Sequence, residues 1–330
     1  MTRRTGDDAT GRRCARSDRR DDGVDGIMGG VEPIGGRSRP RGMTIMGALR
    51  PAVAVAVLLG MAACGQGAGT ATPAPATTVM PAAADGLILR VEYSGGFISP
   101  SVLAARLPIV SVYADGRVIS EGPVAAIYPG PALPNVLEGQ IDQSAVQDLV
   151  DRAMAAGVAE TSDLGIPPVA DAPSTRFTVA TASDTYVREV YALWETPAGE
   201  GTASGVSAEQ EAARAKLSDL LTALTDAAAG QSHAYEADAV AAIASPWLDP
   251  EDGLQQPEAA WPGPALPGQP TGGPPDVSCV TATGDQAQAL LGAARSVNSA
   301  TPWVTADGTR WSVILRPLLP DESGCADLSH

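Results

Sequence analysis

Two histidines, four cysteines and 38 carboxylates are the side chains through which this 330-residue chain could attack a substrate, move a proton or hold a metal. A Ser-His-Asp hydrolase would have to recruit His233, because His330 is the last residue, where chains are seldom ordered. His233 lies in GQSHAYEAD, just past a long helical pattern, and no serine of the chain occupies a G-x-S-x-G elbow. It reads as a surface histidine. Cys279 and Cys325, 46 positions apart, do not match a zinc pattern. A pair of carboxylates could serve a glycosidase-like hydrolase, one as acid and one as base or nucleophile, but spacing along the chain does not say which two would meet. Asp249-Glu251-Asp252 and Asp321-Glu322 read as solvated clusters, and the D-x-D-x-D-G calcium loop is absent. No cofactor and no metal site is expected.

Cys64 has a different chemistry. The run PAVAVAVLLGMAA at 51–63 is shorter than the roughly 18 to 20 apolar residues of a membrane span, and it has the length of a signal-peptide core. Arg50 precedes it, Ala62 and Ala63 end it, and Met61-Ala62-Ala63-Cys64 resembles the bacterial lipobox, with Met61 where Leu is usual. Residues 43–63 are therefore expected to be a signal peptide cleaved before Cys64, and Cys64 to carry a diacylglyceryl thioether. Two acyl chains meet the condition for stable anchoring. The expected location is the outer face of the cytoplasmic membrane. Residues 1–42 fit no targeting signal, so Met43 or Met46 is the expected start of translation, and those 42 residues would be disordered if made. Residues 64–86 are rich in Gly, Ala, Thr and Pro and read as the lipidated cysteine and a flexible spacer.

Export sets the redox compartment and the charge that matters. The first 63 residues hold 11 of the 22 basic and 7 of the 38 acidic residues, leaving 11 against 31 and a net charge of −20 beyond them. That balance excludes nucleic acid and argues against docking on anionic headgroups, both of which need clustered Lys and Arg. Outside the cytoplasm the two remaining cysteines, Cys279 and Cys325, are expected to pair, and closing a loop of that length contributes roughly 4 kcal/mol.

The elements that must position these groups follow from pattern. LILRVEYS at 87–94 alternates as a half-buried strand, 109–120 reads as two strands about Asp115-Gly116, and 175–193 as a second hairpin about Ser183-Asp184. Helical spacing of Val146, Leu149, Val150, Ala153 and Met154 predicts a helix over 142–156 ended by Gly157. A second covers 207–229, with Ser207 and Gln210 as a capping box and Leu217, Leu220, Leu221 and Leu224 on one stripe. YPGPALP at 128–134 must be a loop. The Pro- and Gly-rich stretch 247–276 reads as a linker between an α+β domain at 87–246, an antiparallel sheet with two covering helices, and a small α+β domain at 277–330. The small domain takes a strand at 277–281, a helix near 285–294 and a hairpin about Asp307-Gly308, and the bridge compensates for its small core.

Trp247, Trp261, Trp303 and Trp311 all fall in or after that Pro-rich stretch, and Trp and Arg are the residues most enriched in binding hot spots. An exposed patch around Trp261, Trp303 or Arg316 would therefore point to binding. Trp303 and Trp311 can instead fill the small core across their hairpin, with Trp261 as a Pro-flanked clasp between domains. The tail TPWVTADGTRWSVILRPLLPDESGC at 301–325 and the stretch VYADGRVISEGPVAAIYPGPALP at 112–134 resemble a group of actinobacterial lipoproteins with no assigned activity. The resemblance implies the same architecture and pairing of Cys279 with Cys325, and no activity. The expected role is that of a non-catalytic binding or assembly module, with an extracytoplasmic carboxylate hydrolase as the alternative. The expected partners are the membrane, through the anchor, and an envelope protein or cell-wall component. Replacing Cys64 by Ala is predicted to abolish incorporation of labelled fatty acid, and labelling that persists in that variant would overturn the anchor.

Overall fold

A computed structural model describes residues 86–196, 205–251, 253–273 and 276–328; Cys64, the spacer and the expected signal peptide lie outside the described residues. The alternating run at the start forms β1 (Leu87–Ser94), and the short helix α1 (Pro100–Ala105) follows it. Next come β2 (Val110–Tyr113), β3 (Arg117–Glu121), β4 (Val136–Gln140) and the first long helix, α2 (Gln143–Ala155). Then follow β5 (Ser174–Ala180), β6 (Thr185–Tyr191), α3 (Ala208–Ala228) and β7 (Ser232–Ala234). These seven strands make one antiparallel sheet in the order β6-β5-β1-β2-β3-β4-β7.

Local chemistry accounts for most of these elements. Asp142 caps α2 by accepting from the Ala145 N–H, and Ser207 and Gln210 form the expected reciprocal capping box on α3. Val146, Leu149, Val150 and Ala153 of α2 and Leu217, Leu220, Leu221 and Leu224 of α3 pack on Leu89, Val91, Val110, Val112 and Val118. Met154, placed on that stripe by its spacing, is instead turned partly to solvent. The β2–β3 hairpin turns at Asp115-Gly116, but only Gly116 has a positive φ (88°), and Gly116 N–H donates to Tyr113 O. This is a three-residue turn ending in one left-handed glycine rather than the two-residue primed turn that Asp-Gly suggests. A Cβ at Gly116 would lie 2.3 Å from Ile141 O, so the glycine is required.

The second sheet contains β8 (Ala239–Pro246), β9 (Ala259–Ala260), β10 (Gln269–Pro270), β11 (Ser278–Thr283), β12 (Trp303–Val304) and β13 (Arg310–Pro317), in the order β10-β11-β8-β13-β12-β9. Helix α4 (Gly284–Ala294) covers one face, packing Ala287 and Leu290 with Val240, Ala242, Ala244, Trp303 and Leu315. The other face is covered by Ala104 and Ala105 of α1 and by the tail, through Leu318, Leu328 and a closing 3-10 turn (Cys325–Leu328).

The fold is thus α+β with two sheets, but the sheets divide elsewhere than at the boundary composition suggests. β8, at the end of the segment 87–246, is paired on both sides within the second sheet, by β11 and β13. Its sequence AVAAIASP has no alternation because Val240, Ala242 and Ala244 are buried on one face and Ala241 and Ile243 on the other. The stretch 247–276 is also more than a linker. It supplies β9, which pairs in parallel with β12, and the edge strand β10, where Pro270 is tolerated for want of a neighbour needing its N–H. All described residues belong to one folded unit.

Cys279 of β11 and Cys325 of the tail are joined by a disulfide, with Cα atoms 5.9 Å apart. Since the tail packs on both sheets, the bridge does not staple a separate small domain. Replacing Cys325 by Ser is predicted to cost about 4 kcal/mol by the loop-closure relation and to lower one shared urea transition of both sheets. A protease-resistant fragment ending near residue 245, with the remainder digested, would show instead that the first sheet is autonomous.

Candidate functional site

Alternation along the first sheet decides which groups meet the tail. With Val110 and Val112 turned to the helices, Ser111 and Tyr113 must face the other way. Arg90, opposite Ser111 in the β1–β2 register, joins them. Onto this face the tail lays Asp321, whose Oδ1 accepts from Arg90 Nη2 and from the Tyr113 hydroxyl, both at 2.7 Å, while Arg90 Nε donates to Ser111 Oγ at 3.1 Å. Beside it the Glu322 carboxylate takes both terminal nitrogens of Arg316, with Nη2 to Oε1 at 2.8 Å, and also accepts from the Leu319 N–H at 2.7 Å. Tyr235 donates to Leu318 O at 2.9 Å.

These groups are almost wholly out of water. The Arg316 and Glu322 side chains are 2% and 5% exposed, and Arg90 and Asp321 13% and 11%. The reading of Asp321-Glu322 as a solvated cluster is corrected accordingly: both acids are buried because a guanidinium is brought to each. Burial, and then the Asp321 carboxylate, push the Tyr113 phenol far above its usual range. Burial pushes that of Tyr235 up to about 12. For Arg90 burial acts downward, but Asp321, Tyr113 and Glu322 outweigh it and its pKa is raised. Asp321 Oδ1 and both oxygens of Glu322 accept from protein donors, so the cluster holds the tail against both sheets.

Two cavities of useful size lie elsewhere. One, of about 370 Å³, is bounded by Asn135, Tyr235, Glu236 and Asp238 on one side and by Gln288 of α4 and Arg295 just after it on the other. Two carboxylates do share this cleft, as a hydrolase would need. Both are exposed to solvent, however. The second, of about 360 Å³, lies between α1 and the second sheet beside the disulfide. Among the described residues no group of three or more His, Cys, Asp or Glu is placed to hold a metal. His233 is exposed on the edge strand β7 opposite Glu138.

The expected binding patch is not presented. Trp303 and Arg316 are each 1% exposed, and Trp261 stands edge-on against Trp303 at 5.4 Å with its Nε1 donating to Pro264 O. Trp303 faces Trp311 across the β12–β13 pair, as the core-filling arrangement requires. What pattern reading missed is a set of apolar residues in loops. Antiparallel register places the ends of β1, β3 and β6 and the start of β5 at one end of the strands. The connections leaving that end expose Phe97 (87%), Val124, Ile127, Tyr128 (70%) and Trp194 (60%). The strands concerned span four inter-strand spacings, roughly 20 Å. The available signal was the presence of large apolar side chains inside Gly- and Pro-bounded loops.

The raised phenols set a pH dependence. Unfolded tyrosine ionises near pH 10, whereas Tyr113 and Tyr235 stay protonated in the folded chain, so above about pH 10 the folded state holds more protons and stability falls as pH rises. The urea midpoint is predicted to drop between pH 9 and 11, and Tyr113→Phe to be less stable at pH 7 by about 1.5 to 3 kcal/mol, for one charged hydrogen bond, with a shallower alkaline slope. An unchanged slope would place that phenol in water. Comparison with protein-family models, with curated proteins and with solved structures finds no match for this chain.

Proposed function

We propose that this chain is a lipid-anchored envelope lipoprotein whose folded part is a non-catalytic binding module, using the apolar loops at one end of the first sheet. The observation that carries the reading is the exposure of Phe97, Val124, Ile127 and Trp194 on neighbouring connections, where most other large apolar residues among those described are buried. Scattered apolar side chains need no explanation, but several on adjoining loops form the kind of patch that marks a protein contact. Two further features support it. The buried acids of the tail, Asp321 and Glu322, are held by Arg90, Tyr113 and Arg316, and the net charge of −20 beyond residue 63 is unsuited to polyanions. The polypeptide enters the sheet at Gly86, at the opposite end of the strands from these loops.

The partner would be an envelope protein or wall component with an apolar face. A photo-crosslinking amino acid placed at Phe97 or at Ile127, in cells making the anchored protein, is predicted to give one common adduct that the same probe at Ser183 does not. Ser183 lies in the β5–β6 turn at the other end of the strands. Equal labelling from all three positions, or none from any, would overturn the assignment of this edge.

A further inference from the structure

The face of β8 turned away from α4 is not closed by what lies over it. α1 has only six residues, PSVLAA, and although it lies across β8 and β13 it buries none of them fully. Between it and the sheet remains the cavity of about 360 Å³. Its walls come from well-separated parts of the chain: Leu103 and Ala104 from α1, Ile243 from β8, and Leu328 with the Cys279–Cys325 bridge from β11 and the tail. Among the described residues no charged side chain lines it, and the Thr271 hydroxyl at its rim already donates to Val277 O.

We propose that this cavity binds an uncharged apolar small molecule. Its volume falls at the lower end of the roughly 300 to 1,000 Å³ of small-molecule sites, whose walls are mostly apolar. The larger part of the wall is apolar, and its polar part comes from Thr271 and the Gly272-Gly273 backbone. Polarisable disulfide sulfur beside Leu and Ile side chains suits a hydrocarbon chain or ring, and the lack of any cation excludes a carboxylate or phosphate held within the cavity. Its volume limits the occupant to a small molecule. The exposed side chains Phe97, Val124, Ile127 and Trp194 are not among the lining residues described.

The test uses the full chain carrying Cys64→Ser, which has no attached acyl groups, in detergent-free buffer, with the uncharged dye N-phenyl-1-naphthylamine as probe. Saturable binding of one dye per chain is expected, with shifts of the Ile243 and Leu328 methyl resonances. Ala104→Phe, which fills the cavity, is expected to weaken binding about tenfold or more, while Ile127→Ser in the exposed loop leaves it unchanged. If Ala104→Phe does not fold, the methyl shifts in the otherwise unaltered chain decide the matter. Non-saturable binding, methyl shifts absent at Ile243 and Leu328, or loss of binding with Ile127→Ser would each overturn the proposal.

Discussion

A carboxylate removed from water must be met by a cation or by several donors, or it will not stay buried as an anion. In this protein the tail carries two such carboxylates side by side, Asp321 and Glu322, and their partners come from different sheets. Asp321 is held by Arg90 and Tyr113 of the first sheet, and Glu322 by Arg316 of the second. The tail can bury its acids only when both sheets are present and correctly placed. Around this polar centre the apolar contacts follow: Leu319 packs with Leu107, Tyr113, Ile119 and Val136, and Leu318 with Ile243 and Val277. The disulfide at Cys325 then closes the tail onto β11 a few residues further on.

This arrangement makes the molecule an interlocked pair of sheets and accounts for where its surface remains open. α1, which belongs to a connection of the first sheet, is drawn onto the second, and the tail of the second is drawn onto the first. Each exchange covers one sheet face that has no long helix of its own. Helix α4 serves the opposite face of the second sheet, and α2 with α3 serve the first. A six-residue helix covers less area than a long one, and the cavity beside the disulfide is what it leaves. The loops bearing Phe97, Ile127 and Trp194 are likewise left uncovered.

The gap between pattern and structure has identifiable causes. Hairpins, capped helices and their apolar stripes were legible because each depends on neighbours within a few residues, as Ser207 and Gln210 show. β8 was not, since a strand buried on both faces has no alternation to read, and Ala is as common in helices as in strands. The apolar edge was missed because a loop has no period against which Phe97 or Ile127 would stand out. Trp303 and Arg316 were legible as important but not as buried. A large side chain fits a core or a contact equally well until its surroundings are known.

By itself the sequence determined the α+β class, the three longer helices with the capping box of α3, the positions of the hairpins, and the two cysteines that pair. It also carries the grounds for expecting an anchor at Cys64, which rests on a contiguous run of residues and needs no fold. Only the tertiary structure decided that residues 239–246 form the centre of the second sheet and that 247–276 add strands to it. It alone brought Asp321 against Arg90, residues 231 positions apart. The physical reason is one of range: capping and turn chemistry act within a few residues, whereas the pairing of a buried charge and the filling of a sheet face are settled by whichever distant group the completed fold brings into contact.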